Sequence, residues 1–261
     1  MSTSSLPDLL HQLYAAIRLV SLDVLAGAIG GGIMVDRLFE ANLGPSFYIV
    51  LGLAVWLIYT LDHLLDAQRL QDRASTPRHR FHHQYFRLLS GIWILTAGVT
   101  GTMAVWLLDM EAILFGFGVG ALTILHLLIV RLVGNKTSPF LVKELGVAAI
   151  YALGIWGYPL LQTDFPSPAI AILLFVQFLL LALVNLLEFS WFEWATDERD
   201  GQTSFVRALG RDRSRRIILL LLAAYGLLAM VAVTILDYQV FWQWRALRVL
   251  LIHSLMATVL A

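Results

Sequence analysis

Four carboxylates in this chain are spaced as a cation site would need them. Asp62 and Asp66 lie four residues apart in LDHLLDAQR, and Glu193 and Asp197 repeat that interval in WFEWATDERD. On a helix, a four-residue interval brings side chains to one face, where two anions repel each other. Both pairs also follow an apolar stretch, at the end of a helix where its dipole disfavours negative charge. A bound cation resolves both penalties. Asp200 comes one turn later, and Asn185 and Glu188 stand just upstream. A few carboxylates with positions left for water and phosphate oxygens are the donor set that magnesium, Mg2+, prefers. The alternative is that these acids only pair with neighbouring arginines, an arrangement of small energetic weight.

The nearby cations match an anionic substrate. Arg69, Arg73 and Arg78 follow the first pair, and Lys143 opens a later apolar stretch in the run Lys143-Glu144-Leu145-Gly146. A diphosphate carries more charge than one magnesium neutralises, and guanidinium groups match its oxygens. Each arginine also has an ordinary reading, as a charge that sets orientation or touches lipid headgroups. Lys143 is the strongest single candidate, because a lysine where the bilayer begins needs an anionic partner.

The elements that must position these groups are membrane helices. Of 261 residues, 59% are hydrophobic and only 14% charged, well short of the usual quarter in soluble domains. Lys plus Arg and Asp plus Glu both number 18, so net charge gives no basis for a nucleic-acid partner. There are no cysteines, which removes disulfides, thiolate metal sites and cysteine nucleophiles.

Eight apolar stretches, 19–35, 47–61, 88–108, 112–130, 145–161, 169–187, 217–236 and 247–261, approach the roughly 17–25 residues of a spanning helix. Backbone groups in lipid must be bonded internally, and these stretches lack strand alternation, so the expected fold is all-α. The last is the weakest and could lie at the interface.

Charge sets the expected orientation. Arg18 and the connections after the second, fourth and sixth stretches carry all but Arg37, Arg245 and Arg248 of the 18 basic residues. The positive-inside bias therefore puts the N-terminus, those connections and both acidic pairs in the cytoplasm. Met1–Leu13 lacks the pattern of a secretory signal. With no linker or low-complexity tract, residues 1–261 are expected to form a single domain.

Other features have ordinary explanations. Gly30-Gly31-Gly32 lacks a following Lys-Ser/Thr and reads as close helix packing. His79, His82 and His83 form a loop cluster without the paired spacing of a zinc site. His126 and His253 read as packing residues, and most tryptophans as interfacial anchors. Tyr59, Tyr151, Trp156 and Trp191 are candidates to line a cavity. Asp23 is an isolated carboxylate in an apolar stretch, where it either faces a cavity or pairs with a polar neighbour.

These residues resemble the UbiA-type intramembrane prenyltransferase superfamily. Its second acidic motif commonly reads DxxxDxxxGxxTL before a Leu-Gly-Arg-rich stretch, and this chain has EWATDERDGQTSFVRALGRDRSRR. Glu193 and Asp197 fall on the two acids, Gly201 on the glycine, Ser204 on the threonine, and Ala208-Leu209-Gly210-Arg211 on the following stretch. Asp62 and Asp66 match the last two acids of the first motif, NDxxDxxxD, while Ile58 and Tyr59 replace its Asn and Asp. Lys143 matches the lysine that begins the family's fifth helix.

The resemblance implies a transmembrane bundle of eight helices, or the family's nine, around a central cavity open to the cytoplasm. It also implies magnesium-dependent transfer from a prenyl diphosphate donor to a lipophilic, by default aromatic, acceptor in the lipid bilayer. Asp62, Asp66, Glu193 and Asp197 would hold the metal, with Arg69, Arg73, Arg78, Lys143, Asn185 and Asp200 binding substrate. A CDP-alcohol phosphotransferase is a weaker rival, since Asp66-Ala67-Gln68-Arg69 lacks the required downstream acids. A non-catalytic lipid-binding or transport protein on the same scaffold is the alternative outside catalysis.

Overall fold

The computed structural model describes residues 6–70, 76–133, 140–163, 168–199 and 204–235. Every regular element among them is helical: α1 (Leu6–Leu19), α2 (Leu22–Phe39), α3 (Pro45–Leu70), α4 (Pro77–Gln84), α5 (Phe86–Leu107), α6 (Met110–Val133), α7 (Phe140–Leu161), α8 (Pro168–Arg199), α9 (Phe205–Leu209) and α10 (Arg211–Ile235). Six of them, α3, α5, α6, α7, α8 and α10, are long and apolar enough to cross a membrane. Their exposed surfaces are apolar too, with Ile94, Leu95, Trp106, Phe117, Leu132 and Leu220 each 66–84% exposed. Large apolar side chains exposed in such numbers fit a lipid surrounding and not water.

The first apolar stretch is interrupted at Ser21, whose φ of 59° separates α1 from α2. The eighth, Leu247–Ala261, lies outside the described residues. Two helices run well past their apolar stretches. α3 continues through Asp62 and Asp66 to Leu70, and α8 through Glu193 and Asp197 to Arg199. Apolarity reports where lipid ends, whereas the helix continues while its residues keep adequate helix propensity, as Ala67-Gln68-Arg69 does.

The chain divides into two compact units, Met1–Ile33 with Leu43–Ile113, and Met34–Asn42 with Leu114–Ala261. In the first, α2 and α3 interlock at glycines. A Cβ on Gly32 would lie 3.0 Å from Leu51, and one on Gly52 2.7 Å from Ile29. Gly32 thus has the packing role expected of the triple glycine. Two tryptophans tie neighbouring segments: Trp56 Nε1 donates to the Val20 carbonyl (3.0 Å) and Trp93 Nε1 to that of Leu57 (2.8 Å).

In the second unit α6 lies along a glycine row of α7. A Cβ on Gly146 would strike the His126 ring, one on Gly154 would rest 3.6 Å from Val119, and one on Gly157 would sit 2.5 Å from Phe115 Cζ. His126 is therefore a packing residue, as its sequence context implied. Small residues at such crossings let backbones approach in lipid, where packing drives association. The core below is built from Ala148, Leu183, Val184, Leu187, Phe205, Val206 and Ile218. Trp156, fully buried, packs its ring against Phe39, Phe175 and Phe178.

The α6–α7 row makes a paired prediction. Gly157→Ala should destabilise the protein by about 1–3 kcal/mol through overpacking against Phe115, while Gly154→Ala, which meets only ordinary contact, should stay within about 0.5 kcal/mol of wild type. Thermal unfolding of the detergent-purified variants measures both.

Candidate functional site

The two acidic pairs lie in different units, and each has its own surroundings. In the first unit, Asp62 and Asp66 project from the last turns of α3, both half-exposed. The chain then returns in α4. Thr76 caps this helix by accepting from the His79 amide at 3.2 Å, and Pro77 occupies its first turn, an arrangement that favours helix initiation. The RHRFHH run is thus a helix and not the expected loop; the Thr-Pro pair is the sequence signal for it.

α4 carries His79 and His82 three residues apart on one face and buries both, at 7% and 2% exposure, while His63 of α3 is buried at 6%. The ring centres of His63 and His82 are 5.1 Å apart, and those of His63 and His79 are 6.5 Å apart. Behind them, Asp66 Oδ2 stands 4.0 Å from His79 Nε2. His82 Nδ1 donates to the Arg78 carbonyl at 2.9 Å, leaving Nε2 as the ring's other polar atom. Burial pushes the His82 imidazole below its ordinary pKa, against the pull of that carbonyl, with the Arg78 and His79 charges adding to the lowering. Neither ring nitrogen of His63 has a hydrogen-bond partner. His83 turns away to line a surface groove with Gln68 and Arg87.

Sequence reasoning singled out the acids of DHLLD and passed over His63 between them. The register that could have exposed it is the one that buries Leu64 and Ala67 beside it. Tyr59 places its ring 6.5 Å from that of His63. Arg78 is half-buried in α4 and Arg69 is exposed at the end of α3. Arg73 lies outside the described residues.

In the second unit, Glu193 is half-exposed on the last turns of α8, with Asp197 one turn on. At about 100° per residue, Asn185 stands roughly a quarter turn from Glu193, and Glu188 more than a third of a turn. Neither shares the face of the acidic pair. Asp200 and Gly201 lie outside the described residues.

The chain re-enters at Ser204, buried and extended, with no hydrogen bond from its side chain to cap α9. The capping comes from another helix: the Phe205 amide donates to Glu144 Oε1 at 3.2 Å. Glu144 is 7% exposed, so this carboxylate is committed to holding α9, while its neighbour Lys143 is half-buried in the first turns of α7. The other end of α9 is closed by Gly210. Its φ of 82° is a conformation only glycine adopts without strain, and its amide donates to the Val206 carbonyl at 2.8 Å. Arg211 then begins α10 with its guanidinium 4.4 Å from the centre of the Trp191 ring and 5.4 Å from that of Trp194. This cation–π clamp fastens α10 to α8 on either side of Glu193 in sequence.

No protein-family model matches the chain, and no match is found among curated proteins or solved structures.

Glu144→Ala should leave the buried Phe205 amide unpaired, at a cost of about 1–3 kcal/mol. Hydrogen exchange followed by mass spectrometry should show faster exchange across 205–209, with the middle of α5 unchanged.

Proposed function

We propose that this protein transfers a prenyl group from a prenyl diphosphate to a lipophilic, aromatic acceptor within the membrane. The observation that carries the reading is the repeated carboxylate pair, Asp62 with Asp66 and Glu193 with Asp197, each near the end of a helix long and apolar enough to span. The alternation of basic and acidic connections, read with the positive-inside rule, supports a cytoplasmic position for both ends. Asp62, Asp66 and Glu193, each half-exposed, supply the oxygen donors that magnesium prefers while it keeps several waters.

Asp62, Asp66, Glu193 and Asp197 would hold magnesium, which when bound offsets the charge that builds on the diphosphate as it leaves. Arg78 and Lys143, with Arg69, Arg73 and Asp200, serve the remaining phosphate oxygens and their waters. The allylic C–O bond breaks with its electron pair passing to diphosphate. A ring carbon of the acceptor then bonds to the prenyl carbon, and the proton it carried is lost to restore aromaticity. Exclusion of water by the surrounding apolar helices protects the cationic intermediate from hydrolysis.

The second reading, a non-catalytic carrier of prenyl lipids, is favoured by Ile58 and by Tyr59, whose ring packs beside His63 where the related motif has an acid.

One assay separates the two. Purified protein given an allylic prenyl diphosphate, a labelled aromatic acceptor and Mg2+ should release diphosphate and form prenylated product. Asp62→Asn and Asp197→Asn should each lower the rate about 100-fold. Equal release by wild type and both variants removes the enzymatic reading, and tight binding of the donor without release establishes the carrier.

A further inference from the structure

We propose that His63, His79 and His82 form a binding site for a divalent transition ion of the zinc class, with Asp66 orienting His79. The site borders the first carboxylate pair through Asp66, and it does not depend on the prenyl-transfer reading.

Three observations carry it. The first is convergence, since two helices separated in sequence bring three imidazoles together at one buried place. The second is the state of His63. It is 6% exposed and has hydrogen-bond partners on neither ring nitrogen. Leaving a buried polar atom unpaired costs about 1–3 kcal/mol. A ligand on one ring nitrogen would remove the cost at that atom.

The third is the way the other two rings are held. His82 donates Nδ1–H to the Arg78 carbonyl, which fixes the tautomer and leaves the Nε2 lone pair for coordination. His79 has a carboxylate oxygen of Asp66 4.0 Å from Nε2, beyond hydrogen-bond distance, so a rotation that brings the ring to an ion would have to close this gap as well for Asp66 to orient it. A histidine whose second nitrogen is held by a carbonyl or carboxylate is the usual arrangement around a bound metal.

Ring spacing shows how far the side chains are from ligating geometry. Metal–nitrogen bonds of about 2.0–2.1 Å at tetrahedral angles put two imidazole centres about 5 Å apart. His63 and His82 stand at 5.1 Å. His79, 6.5 Å from His63, is more than 1 Å too distant, and no three such side chains among the described residues are already set to hold a metal ion. Binding therefore requires the His79 ring to swing inward by rotation about its side-chain bonds, on a helix of only 8 residues.

Imidazole donors select the ion. Nitrogen ligands suit zinc, iron, nickel or copper and discriminate against magnesium, so the two classes of cation would be sorted by donor type within a few residues of α3. An ion joining α3 to α4 would fix the chain's return after Leu70.

The test uses full-length protein without a polyhistidine tag, stripped with chelator, dialysed and titrated with Zn2+, and separately with Co2+ for its visible absorption. Wild type should bind one zinc per chain, give the intense Co2+ spectrum of a nitrogen-rich four-coordinate site, and unfold at higher temperature with zinc than without. His63→Gln and His82→Gln should each weaken binding by at least about 10-fold and abolish the thermal shift, while His83→Gln and Asp62→Asn retain both. The proposal is overturned if wild type binds no zinc at micromolar concentration, a result independent of how any variant folds. It is equally overturned if His83→Gln alone removes binding. Diphosphate release with magnesium is measured separately, so loss of either activity leaves the other judged on its own.

Discussion

A polar group in lipid has no water to turn to, and the places where this fold departs from continuous helix follow from that. Ser21 separates α1 from α2 with a positive φ, and beside that break the Val20 carbonyl accepts from Trp56 Nε1. Pro159 sits in the last turn of α7, and Thr163 Oγ1 donates to its carbonyl at 3.0 Å. Thr100 and Thr123 donate their hydroxyls four residues back along their own helices. Each solution is local and needs a donor at one particular position, so polar residues within the apolar stretches are first of all part of the backbone's hydrogen bonding. Those that take no part in it, such as His63, are the ones whose presence asks for another reason.

The same constraint explains how much of the fold was legible. Length and apolarity without alternation leave only helices, so the all-helical, multi-pass character is readable from the runs of residues that avoid water. Helix ends were not. Apolar stretches mark the hydrocarbon, but the DAQRL end of α3 and the WATDER end of α8 continue the helix into polar surroundings, where propensity and not hydropathy decides. The acids consequently sit within helices, with their four-residue spacing intact.

The site was partly legible for a related reason. Carboxylates are conspicuous in an apolar sequence, and both pairs were visible at once. The role of Glu144 was not, because its partner is a main-chain amide 61 residues away, and a backbone donor leaves no mark in the sequence. The same holds for His63, whose neighbours arrive only when Thr76 and Pro77 start α4. The RHRFHH run looked like a loop because it lacks apolar periodicity. A helix of this length is held by its cap and by burial of two histidines, neither of which hydropathy records.

The tail of the second motif shows how resemblance and chemistry separate. Gly210 is needed for its positive φ at the end of α9, and Arg211 stacks over Trp191 and Trp194, so the Leu-Gly-Arg run has a sufficient structural reason. An arginine spread over an indole is already engaged through its face, and only its edge remains to meet an anion. The run joins α8 to α10, a structural role that would persist whether or not the protein catalyses anything. The functional reading rests instead on the carboxylates, because like charges four residues apart near a helix end repel each other, a cost that the approach of His79 to Asp66 offsets only in part. A second cost stands beside the acids, in the buried imidazole of His63, whose ring nitrogens have no hydrogen-bond partner.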